Sequence, residues 1–147
     1  MEINKIEECF NVLGVPDVTR SKVLSTLAFY RDNGLMNPTH FFINQQKDAE
    51  KNIRYDKLWL FDGAYCAESD ISNGKVAGDL CKIKDQVMRY EFSASNSNFE
   101  EGNNELYLNL DLMLGTHLNA NFQAFGFNRK FLWDIFLNHI KINLVKN

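Results

Sequence analysis

The sequence lacks the long apolar segment, the leader and the compositional bias that mark several common protein classes. No stretch approaches the roughly 18 consecutive apolar residues of a membrane-spanning helix, so we expect no membrane span. Residues 1–15 carry three glutamates and no apolar run, so we expect no secretory signal. Only 2 prolines and a hydrophobic content of 45% exclude a disordered or collagen-like chain. The length of 147 residues predicts a single globular domain over residues 1–147.

An excess of basic residues is also missing. Lys and Arg number 16 against 19 Asp and Glu, which gives a formal net charge of −3, and the two signs are interleaved along the chain. Proteins that follow a phosphate backbone usually carry a basic stripe, so we expect no nucleic-acid partner. The acidic balance is compatible with a basic protein partner and equally with solubility alone.

Cysteine is scarce and shows no motif. Cys9, Cys66 and Cys81 form no C-x-x-C pattern and have no histidine pair near them, so we predict no zinc site, no other metal, no cofactor and no disulfide framework. The odd number is typical of a reducing compartment, and the cytoplasm is the expected location. A two-residue turn at Asn73 and Gly74 would place Cys66 opposite Cys81. Such a pair is either two small buried apolar side chains, the commoner role of free cysteine, or a cross-strand redox pair.

Catalytic motifs are absent as well. Gly74 and Lys75 lack the flanking residues of a phosphate-binding loop, and no strand and helix frame the neighbouring glycines as a dinucleotide site would require. The segment from Glu68 to Asp79 lacks the glycine and the terminal glutamate of a calcium-binding loop. No nucleophile stands in a recognisable local motif, so we predict no catalytic residue and favour a protein that is not an enzyme.

Asparagine, in contrast, is unusually frequent, with 18 residues in the chain. Several fall in predicted turns, at a predicted helix cap or in the polar segment 93–104, where their side chains can bond to nearby backbone. Others share one face of a predicted hairpin. The excess therefore does not indicate a disordered segment.

The amino-terminal part of the chain is predicted to form two short helices within about residues 2–34. The first ends at Gly14, and the second, capped by Asp17 or Thr19, ends at Gly34, which can take the left-handed conformation. Apolar residues recur at helical spacing in both: Ile3, Ile6, Phe10 and Leu13 in the first, and Val23, Leu24, Leu27 and Ala28 in the second.

Residues 39–125 change to short β-prone runs separated by turn residues, which predicts an antiparallel sheet. Asp-Gly at residues 62–63 and Asn-Gly at residues 73–74 favour tight hairpins, because both positions of such turns prefer positive φ. Seven strands are predicted, at about residues 39–44, 54–61, 64–70, 79–84, 87–93, 105–113 and 117–125.

The alternation of apolar residues in the last two strands predicts their register. Pairing Leu112 with Leu118 across a three-residue loop puts apolar side chains opposite one another along both strands. A two-residue loop would instead set Leu112 against Asn119 and mismatch the faces. We therefore expect the three-residue loop.

The chain is predicted to close with an amphipathic helix at about residues 128–142, capped by Asn128. Its apolar stripe is broad and includes His139, which we expect to be a hydrogen-bonded histidine of the core or its boundary. The stripe also contains Phe131, Leu132, Ile135, Phe136 and Ile140.

Seven antiparallel strands followed by one amphipathic helix resemble the pleckstrin-homology-like roll. The resemblance covers residues 39–142 and concerns the number and order of elements. An open half-barrel is the alternative architecture for the predicted sheet. The predicted fold class is therefore α+β, with two N-terminal helices, a strongly bent antiparallel sheet of about seven strands and a C-terminal amphipathic helix.

The last helix also gives the main functional hypothesis. Trp133, Leu137 and Leu144 widen its apolar arc well beyond the roughly 100° that a surface helix needs. Either the N-terminal helices or another chain must cover the surplus, and tryptophan is enriched at binding hot spots. We therefore predict a non-catalytic protein-binding module, such as an adaptor, inhibitor or chaperone-like accessory protein, that binds a protein partner or forms a homodimer through these residues.

Two alternatives use the polar face of the last hairpin. In the predicted register Asp111 faces Asn119, and Asn109 faces Asn121, which forms an amide-rich surface for a small polar ligand. The same face holds Asp111 and His117, a possible acid and base pair for a small hydrolase. The alternative without a function is that this polar face is simply the solvated outer face of a sheet. The candidate ligand-binding residues are Tyr107, Asn109, Asp111, His117, Asn119 and Asn121.

The resemblance to the pleckstrin-homology-like roll also raises lipid-headgroup binding. Families with that fold and activity place several Lys and Arg in the first hairpin loop. Here the basic spacing of those families is not reproduced, so a lipid headgroup is the weaker partner hypothesis. The loop and its flank hold Lys47, Lys51 and Arg54, offset by Asp48, Glu50 and Asp56.

Overall fold

The two predicted N-terminal helices are present. The computed structural model describes residues 1–115 and 118–146. Gly34 follows the second helix with φ 68°, so it takes the expected left-handed conformation. The N–H of Leu35 then donates to the carbonyl of Tyr30 at 3.0 Å, which closes the last turn. The elements are a 3-10 turn (Ile3–Lys5), α1 (Ile6–Leu13) and α2 (Asp17–Asp32).

The start of α2 differs from the prediction. Pro16 occupies the N-cap position, and its side chain has no oxygen with which to accept a backbone N–H. Asp17 and Thr19, the predicted caps, therefore lie inside the first turn. Asp17 still places its carboxylate at the positive end of the helix dipole.

The first four strands form an antiparallel sheet in sequence order, here called sheet A. The turn between its second and third strands lies one residue later than the predicted Asp62–Gly63 turn. Phe61 pairs with Cys66 and the N–H of Asp62 donates to the carbonyl of Tyr65, so Gly63 and Ala64 are the central residues. Gly63 has φ 94°, and the carboxylate of Asp62 accepts the N–H groups of Ala64 at 3.0 Å and Tyr65 at 2.7 Å. The strands are β1 (His40–Lys47), β2 (Ile53–Phe61), β3 (Tyr65–Asp70) and β4 (Gly78–Lys82).

The register of β3 and β4 is the predicted one, but their connection is not. Cys66 pairs with Cys81, as a two-residue turn would require. The strands nevertheless separate earlier, and residues 71–77 form a loop. Asp70 organises this loop, because its carboxylate accepts the N–H and hydroxyl of Ser72 at 2.6 Å and the amide of Asn73 at 3.0 Å. Local carboxylate bonds therefore replace the tight Asn-Gly turn.

The last three strands form a second antiparallel sheet, sheet B, made of β5 (Val87–Ala94), β6 (Tyr107–Leu114) and β7 (Leu118–Phe125). Leu114 pairs with Leu118, and Leu112 with Ala120. The predicted pairing of Leu112 with Leu118 is therefore wrong by two residues. A shift of two keeps every side chain on its face, so alternation alone could not distinguish the two registers.

Sheet A lies between two layers of apolar packing. Side chains alternate along β2, so that Leu58 and Leu60 pack with α1 and α2 while Trp59 and Phe61 pack with sheet B. Phe122 of β7 meets Trp59 with ring centroids 4.3 Å apart. The seven strands and the flanking helices give an α+β fold, with the strands divided into sheets of four and three.

Two side-chain amides join the sheets. The Oδ1 of Asn44 accepts the N–H of Gln123 at 2.6 Å, and the Oε1 of Gln45 accepts the N–H of Phe125 at 2.8 Å. Neighbouring side chains of a regular strand point to opposite faces, but the ladder of β1 and β2 shifts between Asn44 and Gln45, where β2 has one extra residue, Asp56. Both amides reach β7 at this irregularity.

The C-terminal helix has the predicted extent but not the predicted cap. It consists of α3 (Asn128–Ile135), a π-helical turn (Phe136–Ile140) and a 3-10 turn (Lys141–Asn143). Phe127 is the N-cap, and Asn128 is already helical. The buried amide of Asn128 instead donates to the carbonyl of Ile43 in β1 at 2.8 Å. No helix in the described part of the chain is long and apolar enough to cross a membrane.

Candidate functional site

A cleft of about 450 Å³ opens between the N-terminal segment, the start of β1 and the outer side of α3. Its volume falls in the range of roughly 300–1,000 Å³ that is usual for binding pockets. The cleft combines an apolar wall with polar and charged side chains of both signs. It is lined by Met1, Glu2, Lys5, His40, Lys130, Phe131, Trp133, Asp134, Leu137 and Asn138.

Trp133 and Leu137 form part of the apolar wall. They are four residues apart along a helical segment, which places them on the same face. Leu137 is 43% exposed, whereas Leu132 and Ile135 on the opposite side of α3 are fully buried in the core. The structure thus brings together two of the three predicted partner-binding residues.

Leu144, the third predicted partner-binding residue, is not among the residues that line the cleft. It forms an isolated bridge with Val87 at the start of β5. The N–H of Val145 donates to the carbonyl of Val87 at 2.8 Å, so this part of the chain runs along the edge of sheet B. The backbone at Leu144 is therefore held on β5, while its side chain remains 36% exposed.

Trp133 belongs to an aromatic cluster that extends from the cleft toward sheet B. Its ring stacks on Phe136 with centroids 4.8 Å apart and lies 5.6 Å from Phe99. Phe92 of β5 approaches edge-on at 6.3 Å and is 61% exposed. The cluster holds the indole in place, so its outer surface is a preformed apolar platform.

Two charged side chains of the cleft, Lys130 and Asp134, form ion pairs. Lys130 contacts Glu100 with Nζ and Oε1 2.9 Å apart, and the ammonium group of Met1 lies 3.7 Å from Asp134. The pair of Lys130 and Glu100 is exposed, and exposed pairs contribute less than about 1 kcal/mol to stability. Lys130 is therefore available to exchange its partner for an incoming charged group, whereas Met1 is mostly buried.

Two histidines from distant parts of the chain meet beside the cleft. The rings of His40 and His139 have centroids 4.4 Å apart, and His139 is only 5% exposed. Among the described residues, neither ring nitrogen of His139 has a hydrogen-bond partner. Burial, together with the neighbouring His40 and the Met1 ammonium, lowers the pKa of His139 to about 4. His139 is thus a core histidine as predicted, but its ring lacks the expected hydrogen bond.

Sequence reasoning missed most of this cleft. Its walls come from residues 1–5, from β1 and from α3, and no local spacing connects these segments. The one local signal is the unusual breadth of the apolar stripe around Trp133, which predicts a binding role for this helix face. The meeting of His40 and His139 depends on the packing of β1 against the C-terminal helix.

The second candidate surface is the outer face of sheet B. Asp111 pairs with Asn121 instead of Asn119, and the amide of Asn121 donates to its carboxylate at 2.6 Å. An open depression of about 310 Å³ lies beside Asp111 and Asn119. Asn109 faces Gln123, and Tyr107 faces Phe125. His117 lies outside the described residues, so its pairing with Asp111 stays a prediction.

The loop after β1 offers little free positive charge. The guanidinium of Arg54 bonds to the carboxylate of Asp48 with Nε and Oδ2 3.0 Å apart. Lys47 directs its ammonium group toward the ring of Phe125, 4.6 Å from the centroid. Two of the three basic residues considered for a lipid headgroup are thus engaged within the protein.

Comparison of the chain with protein-family models, with curated proteins and with solved structures finds no match. The likeness to the pleckstrin-homology-like roll therefore stays one of element number and order. Residues 1–115 and 118–146 contain no cluster of three or more His, Cys, Asp or Glu that could hold a metal ion. The cleft beside α3 is accordingly the candidate functional site.

Proposed function

We propose that the protein is a non-catalytic binding module that receives an apolar side chain of a partner protein in the cleft beside α3. The observation that carries this proposal is the position of Trp133 and Leu137, side by side on the wall of a 450 Å³ cleft. An aromatic anchor and a neighbouring aliphatic side chain are a common core of a protein interface. The surrounding Lys5, Lys130 and Asp134 would form its polar rim.

The geometry of α3 supports a binding role for Leu137 over a purely structural one. The inward side of the helix is filled by Leu132 and Ile135, so the core does not need the outer residues to complete it. Trp133 is held by Phe99 and Phe136, which limits the entropy lost when a partner covers it. The partner is a different protein or a second copy of this chain.

The three cysteines also support a cytoplasmic location for this binding module. Cys9, Cys66 and Cys81 are odd in number, so at least one thiol stays free even when Cys66 and Cys81 are paired. Free thiols persist in reducing compartments, whereas extracellular domains of this size commonly oxidise theirs.

A charge introduced into the apolar wall tests the proposal. We expect Leu137→Asp to weaken partner binding by about 2 kcal/mol or more, roughly thirtyfold, because it places a carboxylate in a desolvated contact. Partners would be captured from an extract of the source cells, identified by mass spectrometry, and their Kd measured with purified protein. For a homodimer, sedimentation at a series of concentrations gives the same constant.

Ile142→Asp is the matched control. Ile142 is 66% exposed in the same C-terminal segment but does not line the cleft, so this variant should bind like the wild type. Circular dichroism must show that Leu137→Asp retains the native fold. Equal binding by both variants, or loss of the fold in both Leu137→Asp and Trp133→Ala, would overturn the proposal.

A further inference from the structure

Cys66 and Cys81 are placed for a disulfide across β3 and β4. Their sulfur atoms lie 3.2 Å apart. The N–H of Ile83 donates to Ala64, and the N–H of Asp70 to Ala77, so every second pair along this ladder is hydrogen-bonded. Cys66 and Cys81 fall on one of these pairs. Hydrogen-bonded pairs have Cα atoms about 5.5 Å apart, which lies within the range of roughly 4.4–6.8 Å that disulfides span.

The two thiols differ in their access to solvent. Cys66 is 1% exposed, whereas Cys81 is only partly buried because β4 is the edge strand of sheet A. The S–H···S contact lowers the pKa of Cys81, while the same contact and burial raise the pKa of Cys66. An incoming reagent therefore meets Cys81 first, with Cys66 directly behind it.

We propose that Cys66 and Cys81 are a redox site that forms a reversible cross-strand disulfide by exchange with a low-molecular-weight disulfide, RSSR, such as oxidised glutathione. The Cys81 thiolate attacks one sulfur of RSSR, so that a mixed disulfide forms and one thiolate leaves. That thiolate takes the proton of Cys66, and the Cys66 sulfur attacks the Cys81 sulfur. The second thiolate leaves with the proton that Cys81 gave up. The protein loses two electrons and two hydrogens, and RSSR becomes two RSH.

The disulfide would stabilise β4, the least buried strand of sheet A. All five residues of β4 are exposed or only partly buried, and the strand pairs on one side only. The disulfide closes the segment 67–80 into a loop, which restricts the unfolded chain and holds the edge strand on β3. We expect the oxidised protein to unfold at a Tm several degrees above that of the reduced protein. This inference does not depend on the cleft beside α3.

The test is oxidation of the native full-length protein with excess oxidised glutathione, followed by denaturation, alkylation and mass spectrometry. The reduced protein should take up three alkyl groups and the oxidised protein only one, on Cys9. Trypsin should then release a peptide of residues 58–75 linked to a peptide of residues 76–82, each of which contains one of the two cysteines. The native 66–81 link should exceed any link to Cys9 by about tenfold or more, because Cys9 is buried in the other core cluster.

Cysteine variants provide the controls. Cys9→Ser should form the same linked peptide, whereas Cys81→Ser should form none. Native folding of Cys81→Ser can be checked by circular dichroism, and this half-exposed position tolerates a hydroxyl. Three alkyl groups on the oxidised wild type, a mixed disulfide at Cys81 that does not resolve, or an oxidised Tm at or below the reduced one would overturn the proposal.

Discussion

Buried side-chain amides hold together parts of the backbone that no ladder connects. Asn44 and Gln45 accept N–H groups of β7, and Asn128 donates to a carbonyl of β1. An unpaired buried backbone group costs about 1–3 kcal/mol, so each amide removes a penalty of that size. The abundance of asparagine predicts turns and helix caps. The buried Asn44 and Asn128 instead connect separate elements through their side-chain amides.

Arg129 has a similar role for the loop that follows β5. Its side chain is fully buried, and its guanidinium donates to the carbonyls of Gly126, Asn98 and Glu101 and to the side chain of Asn96, at 2.8–3.0 Å. Its charge spreads over several N–H donors, which allows carbonyl oxygens to replace water. One residue at the start of α3 thus organises a long polar loop.

His139 makes stability depend on pH. The unfolded chain protonates this histidine near pH 6.5, but the folded protein does so only at about pH 4. Between these values the unfolded state binds more protons, so stability is full above pH 6.5 and falls as the pH decreases toward 4. We expect a loss of up to about 3 kcal/mol, measured by urea unfolding at a series of pH values.

His139→Phe is the control for this prediction. The ring lies 5.1 Å from Phe61 and packs on His40, so a phenyl group suits its surroundings. In this variant, the free energy of unfolding should lose most of its dependence on pH between pH 4 and 6.5. A smaller slope remains from His40, whose pKa is also lowered by burial. An unchanged slope in His139→Phe would show that other groups cause the acid sensitivity.

At the scale of elements, the turn from β7 into α3 is tightly constrained. Gly126 has φ 56°, in the left-handed region that side chains other than glycine adopt at a cost. A Cβ atom there would lie 2.5 Å from the Oδ1 of Asn104 and 2.9 Å from the carbonyl oxygen of Gly102. The polar loop before β6 thus packs directly on this turn.

We expect Gly126→Ala to destabilise the protein by about 2–4 kcal/mol, from the backbone strain and the steric overlap together. Gly34→Ala is the matched control, because Gly34 has a similar φ of 68° but open space around its Cβ position. It should cost only about 1–2 kcal/mol. Urea unfolding of both variants measures the difference, and equal losses would contradict the tight packing of the loop on Gly126.

Most elements could be predicted from the sequence because their signals are local. Gly14 and Gly34 end the two helices, and alternating leucines mark β6, so these elements occur close to their predicted positions. Register and capping depend on distant partners. Asn128 has a side chain that can cap a helix, but its amide donates to the carbonyl of Ile43 instead. The two-residue error in the last hairpin has the same origin, since both registers satisfy the local pattern.

At the scale of the whole molecule, the candidate site was predictable only in part. Trp133 and Leu137 could be found because the helix carries more apolar surface than one core contact requires. Their cleft could not, because it forms only where β1 and the N-terminal segment pack beside α3. A helix face is encoded locally, whereas a cleft is a property of the assembled layers.

The layers also bear on whether the chain unfolds as one unit. Leu27 of α2 packs in the cluster on one side of sheet A, and Trp59 and Trp133 pack on the other side. The two clusters share β2, because Leu58 and Leu60 belong to one cluster and Trp59 to the other. Loss of packing beneath α2 should therefore weaken both layers together.

We expect Leu27→Ala to lower stability by about 2–5 kcal/mol, the usual cost of a buried leucine truncation. Far-ultraviolet circular dichroism reports the helices, and tryptophan fluorescence reports the opposite cluster. Both should show the same reduced midpoint in urea, since the predicted single domain unfolds in one transition. Leu24→Ala is the control, because Leu24 lies on the same helix with 41% of its surface exposed, and this variant should stay close to the wild type. A midpoint that shifts by circular dichroism but not by fluorescence would show that the N-terminal helices unfold separately from the sheets.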